Sequence, residues 1–141
     1  MELNVPFYRN WMFDGLSSFD YSSAHDWLEN RLWGYKEKHL TVKKINCDLK
    51  KLDDYQLSPY FIKIDVQGLE LQVLEGAAKT LEEHRPILLI ESISEEIMDF
   101  LQQYGYQCYA YDSGSFKRGI GQLNTFCMTE QRLNKINHKA A

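Results

Sequence analysis

Apolar and polar residues follow two different rhythms in the second half of this chain. Residues 60–66 (YFIKIDV) form a short aromatic and β-branched run, the composition of a central strand, although Lys63 and Asp65 interrupt it. From residue 69 to 84 the rhythm changes. Leu71, Leu74, Ala78 and Leu81 recur every three or four residues and mark the buried face of a helix. Gly68 opens that helix and Pro86 stops it, while Glu70 and His84-Arg85 carry the charges that suit its two dipole ends. Residues 87–90 (ILLI) are continuously apolar, as in a parallel strand covered on both faces. Strand, helix and strand at this spacing predict a right-handed βαβ unit.

Ser92 with Glu95 three residues later reads as a capping box for a helix over about 93–104, faced by Ile93, Ile97, Phe100, Leu101 and Tyr104. Gly105 suits the position after it. Two further strands follow, 106–111 (YQCYAY) and 123–128 (LNTFCM). The Gly-containing loop between them has no room for a crossover helix, so they must run antiparallel. The pattern predicts an α/β fold in which parallel strands with a βαβ unit are closed by a carboxyl-terminal antiparallel hairpin. The polar residues 129–141 read as a loose tail. In the first sixty residues, 4–11 and 39–46 suit strands, 23–32 a short helix, and 48–55 a helical turn feeding the strand at 60.

At 141 residues the chain is long enough for one domain with a real core. Its hydrophobic fraction of 44% and charged fraction of 26% are those of a globular protein. The net charge is −4, and the densest basic cluster, Lys43-Lys44 with Lys50-Lys51, is broken by Asp48. That argues against nucleic acid as a partner. No apolar run approaches the ~20 residues of a membrane span. The amino terminus lacks the basic-then-apolar pattern of a signal peptide. Cys47, Cys108 and Cys127 are odd in number and widely spaced, fit neither a metal site nor a disulfide framework, and read as small apolar fillers in a reducing cytoplasm.

The chemistry concentrates at the carboxyl ends of the predicted parallel strands, where open α/β sheets bind ligands. Asp65 stands at that end of one strand and Glu91 at that end of the next. Lys63 shares a strand face with Asp65 and can neutralise it. The plain alternative is a strand-terminal salt bridge beside a helix-capping carboxylate. Gly114, Gly119 and Gly121 match neither a Walker loop nor a dinucleotide fingerprint, and no histidine has metal-ligand spacing. Ser17 and Ser18 lack the surroundings of a nucleophile elbow.

Residues 61–92, FIKIDVQGLELQVLEGAAKTLEEHRPILLIES, resemble the signature segment of the FkbM-type S-adenosylmethionine-dependent methyltransferases. Lys63, Asp65, Gly68, Glu70, Leu74, Gly76, Ala77, Pro86 and Glu91 carry the resemblance, with KKLDDY (50–55), DGLSSF (14–19) and LNTFCM (123–128) around it. The resemblance implies a class I, Rossmann-like methyltransferase fold and O-methylation of a small-molecule or sugar hydroxyl. It places Asp65, Lys63 and Glu91 at the catalytic site, and Gln67, Gly68, Ser17 and Ser18 at the acceptor. Gln67 stands where the family commonly has Glu. The family's donor turn, D-x-G-A-N-x-G, has no counterpart in residues 1–59. The expectation is therefore the carboxyl half of the fold as a single partial domain, one that does not bind S-adenosylmethionine alone. The alternative function is a non-catalytic binding or assembly module whose strand at 61–66 pairs at its open edge with a second copy.

Overall fold

A computed structural model describes residues 1–139. The chain forms two compact units, Met1–Leu49 and Lys50–Ala141, where its length suggests one domain. The first unit closes a sheet of its own. Strands β1 (Glu2–Tyr8), β2 (Trp11–Met12) and β3 (Leu40–Asn46) pair antiparallel in the order β2-β1-β3. Arg9 and Asn10, both at positive φ, make the two-residue turn between β1 and β2. Helix α1 (Tyr21–Asp26) starts where Asp20 accepts the Ser23 amide proton at 2.6 Å. Val5, Pro6, Tyr8, Ala24 and Leu28 are buried in this first unit.

The second unit contains β4 (Phe61–Ile64), α2 (Glu70–Glu75), α3 (Ala78–His84), β5 (Ile87–Glu91), α4 (Glu95–Gln102), β6 (Tyr106–Asp112), β7 (Ser115–Arg118), β8 (Asn124–Thr129) and α5 (Glu130–Lys139). Its sheet runs β4-β5-β8-β6-β7. β4 and β5 are parallel and every other pairing is antiparallel. Ile64, Leu74, Leu81, Leu88, Ile90 and Leu101 fill the core on one sheet face. On the other, Leu133 and Ile136 of α5 pack over Ile87, Tyr109 and Met128.

The βαβ unit and the antiparallel closure match the sequence reading, with five differences. First, β4 is an edge strand rather than a central one, which explains how Lys63 is tolerated: Phe61 and Lys63 are exposed while Ile64 faces the core. Second, the helix read over 69–84 is two helices. Asp53 lies in a 3-10 turn (Leu52–Tyr55), its amide donates to the Gly76 carbonyl at 3.0 Å, and its carboxylate takes over the start of α3. A Cβ on Gly76 would make only ordinary contacts, 3.4 Å to the Gln72 carbonyl and 3.5 Å to Lys51 Cα, so this glycine does not supply the close helix–sheet approach its place in the helix suggests.

Third, α4 is capped by Ser94, whose hydroxyl accepts the Ile97 amide, and not by Ser92, which sits at φ 52° before the helix. Fourth, the loop of the carboxyl-terminal hairpin holds β7, paired to β6 through a Ser113-Gly114 turn. Fifth, residues 130–139 of the tail form α5 rather than a loose end, while 140–141 lie outside the described residues. Its few apolar residues hid it, but Leu133 and Ile136 are one turn apart and reach the sheet.

Candidate functional site

Parallel pairing aligns Ile64 with Ile90, which sets the next residues, Asp65 and Glu91, side by side where the two strands end. Glu91 pairs in turn with Asn124 of β8. The row Asp65, Glu91, Asn124 thus crosses three adjacent strands on one sheet face.

Asp65, at the β4 end of this row, is bonded to two neighbouring side chains. Lys63 Nζ lies 2.5 Å from its Oδ2, and the Gln67 amide donates to its Oδ1 at 3.2 Å. The pair is not buried: 33% of the Asp65 side chain and 50% of the Lys63 side chain remain exposed. The Lys63 ammonium first, and a hydrogen bond with the Glu91 carboxyl second, hold the Asp65 carboxyl below the usual carboxylate range. Glu91 is pushed the other way, first by its hydrogen bond with Asp65, then by burial and by the Asp65 charge. The two neighbouring carboxyls are thus shifted in opposite directions, which sets a stronger acid, Asp65, beside a weaker one, Glu91.

The turn after β4 is locally fixed. Gln67 and Gly68 take positive φ of 53° and 97°. That geometry lets the buried Glu70 carboxylate accept the Val66 amide at 3.2 Å and the Gly68 amide at 3.1 Å, so Glu70 satisfies the amides at the entry to its own helix. The Gly68 amide is therefore spent on Glu70. The hydrogen bond that the Gln67 amide donates to Asp65 gives the Gln67 departure a purpose: a glutamate there would face Asp65 with a second negative charge.

Lys63, Asp65, Gln67, Gly68 and Glu91 lie together at the ends of β4 and β5. Ser17 and Ser18 belong to the first unit. Ser18 is buried, exchanges two backbone hydrogen bonds with Asn4 at 2.8 and 3.0 Å, and accepts the Asp20 amide on its hydroxyl at 3.1 Å. Those contacts hold the 14–20 segment to β1, and Ser17 closes the preceding 3-10 turn. Asn124 escaped the sequence reading. Its Oδ1 is buried without a hydrogen-bond partner among the described residues, and only the strand order, which puts β8 against β5, brings it beside Glu91. No group of His, Cys, Asp and Glu among the described residues is arranged to hold a metal ion, and no helix there is long and apolar enough to cross a membrane.

Residues 5–108 match the family model described as the Methyltransferase FkbM domain. No curated protein and no solved structure matches the chain.

Proposed function

Because the chain belongs to the FkbM methyltransferase family, we propose that its second unit presents the acceptor side of an O-methylation site for a small-molecule or sugar hydroxyl. The observation that carries this reading is the Lys63–Asp65–Glu91 cluster at the adjoining carboxyl ends of two parallel strands. The strand order supports it, since β8 is inserted antiparallel between β5 and β6 in the closing hairpin that the resemblance implies.

The roles divide by charge. Asp65, already bonded to Lys63 and Gln67, is a poor proton acceptor but a fixed anion that can receive an acceptor hydroxyl's hydrogen bond. Glu91, with its raised pKa, sits nearer the working range of a general base and takes the hydroxyl proton as it leaves. Lys63 keeps Asp65 ionised while Glu91 changes charge.

The family's methyl donor is S-adenosylmethionine, which supplies an electrophilic methyl group when bound. The turns after β4 and β5 do not offer it a cradle of free amides. There Val66 and Gly68 donate to Glu70, Ser92 to the Leu123 carbonyl and Ile97 to Ser94. The proposal is accordingly confined to the acceptor.

Saturation-transfer NMR against a panel of monosaccharides and polyols tests it. Binding lost in Asp65→Asn with the fold intact is the expected result, and equal binding by the variant would remove the acceptor assignment. Calorimetry with S-adenosylmethionine should give no binding to residues 1–141, and micromolar binding would contradict the donor half of the reading.

One observation favours a second reading, a non-catalytic assembly module. The outer edge of β4 has no partner strand among the described residues, and an open edge invites pairing. Its occupant would be β4 of a second copy. Analytical ultracentrifugation decides it: a monomer at high concentration rejects the module.

A further inference from the structure

Cys108 and Cys127 stand directly opposite each other in the β6–β8 pairing, with their sulfurs 3.6 Å apart. The Cys108 carbonyl accepts the Gly119 amide at 3.0 Å, on the β7 side of β6. A strand residue points its N–H and C=O to the same side, so Cys108 makes no ladder bonds to β8. The cysteines are thus a non-hydrogen-bonded antiparallel pair, the kind whose Cα atoms lie about 4.5 Å apart with side chains closest. That spacing falls inside the ~4.4–6.8 Å range of disulfides. Bond formation needs the sulfurs to close by about 1.5 Å, to the ~2.05 Å of an S–S bond, which side-chain rotation can supply.

The two thiols are not equivalent. Cys127 is fully buried, whereas Cys108 is half-buried and lines a cavity of about 460 Å³ together with Met98, Tyr106, Arg118, Gly119 and Ile120. A small molecule entering that cavity comes up against Cys108. The hydrogen bond from the Cys127 thiol lowers the Cys108 thiol from its ordinary value, and the same contact with burial raises Cys127.

We propose that Cys108 and Cys127 are a modification site at which a small hydroperoxide forms a cross-strand disulfide. The Cys108 thiolate attacks the terminal peroxide oxygen. An S–O bond forms, the O–O bond breaks, and the departing oxygen leaves as water or alcohol after taking a proton. The Cys127 sulfur then attacks the Cys108 sulfenic acid. The S–S bond forms, the S–O bond breaks, and hydroxide leaves as water with the Cys127 proton. Two thiols lose two electrons and one hydroperoxide gains them. A thiol reductant reverses the modification. The product staples β6 to β8 across the centre of the second unit's sheet, enclosing β7.

Peptide mapping of the reduced protein after a slight molar excess of hydrogen peroxide tests this. The Cys108 and Cys127 peptides should appear joined by a link that dithiothreitol breaks, while Cys47 stays open to alkylation. Cys127→Ser should stop at a dimedone-trapped sulfenic acid on Cys108, and Cys108→Ser should leave Cys127 unmodified. Accumulation of Cys108 sulfinic acid in the wild type without a link to Cys127, or a link only through Cys47, would overturn the proposal. The wild-type map decides by itself if either variant fails to fold.

Discussion

Asp53 caps a helix that begins 25 residues further along the chain. Its Oδ1 accepts both the Thr80 amide at 3.0 Å and the Thr80 hydroxyl at 2.7 Å, and its Oδ2 accepts the Lys79 amide at 3.0 Å. These are the second and third residues of α3, the amides an N-cap side chain normally serves. Ala77, the residue in the cap position, has no side chain able to do it. Asp53→Ala should therefore destabilise the protein by about 1–2 kcal/mol, the usual range for a lost cap, measured by urea unfolding. Burial opposes ionisation of Asp53, but the hydrogen bonds from Thr80 and Lys79 outweigh it and hold the pKa down. A depressed pKa contributes stability above the unfolded value of ~3.9 and loses it as pH falls through the folded value. The gap between wild type and variant should shrink below that pH. A constant gap down to full acid denaturation would remove the capping role.

This cap also shows where sequence reading stops. Leu74, Ala78 and Leu81 keep helical spacing across the break at Gly76-Ala77, so periodicity alone cannot reveal it. The partner that ends one helix and begins the next comes from a distant turn. Lys63 and Asp65 were legible because residues two apart on a strand share a face, and Glu91 because it closes an apolar run. Asn124 and the Cys108–Cys127 pair were not, since both depend on which strand lies beside β8. The edge position of β4 is likewise a property of strand order rather than of the run FIKI itself.

Arg132 ties α5 to the end of α3. Its guanidinium donates to the His84 carbonyl at 2.7 Å and the Arg85 carbonyl at 2.9 Å, and lies 4.6 Å from the centre of the Tyr60 ring. Carbonyls at a helix carboxyl terminus lack partners within the helix, and a cation there also suits the dipole. Arg132→Ala should cost about 1–2 kcal/mol in thermal or chemical unfolding. Arg132→Lys, which keeps the charge but loses the two-pronged donor, should recover only part of it. An unchanged midpoint in the alanine variant would mean that α5 docks through Leu133 and Ile136 alone.

Gly121 is the glycine whose missing side chain the site depends on. A Cβ there would stand 2.0 Å from the Asn124 carbonyl oxygen and 3.0 Å from the Asn124 carbonyl carbon, both backbone atoms that cannot swing away. Gly121→Ala should force the start of β8 to shift, at roughly 1–3 kcal/mol, the usual range for overpacking. Because Asn124 pairs with Glu91, the amide signals of Glu91 and Asn124 should move in two-dimensional NMR more than those of α4. A variant with native stability and unshifted spectra would show that the turn before β8 is free to relax.

Glu91→Gln separates the two carboxyls of the candidate site. Glu91 has a raised pKa, so its favourable contribution is fully present below the unfolded value of ~4.3 and is lost as pH rises through the folded value. Asp65 has a depressed pKa and behaves oppositely, contributing above ~3.9 and losing that contribution as pH falls. A glutamine amide donates to Asp65 at every pH and cannot ionise. The variant should therefore match or exceed the wild type near neutrality, by a few tenths of a kcal/mol given the exposure of the cluster. Under acid the advantage should vanish. Carbon-detected NMR titration should show the Asp65 carboxyl of the variant titrating in one step where the wild-type pair titrates in two. If the variant is less stable than wild type by the same amount at acid and neutral pH, Glu91 serves only packing and the two carboxyls do not titrate as a pair.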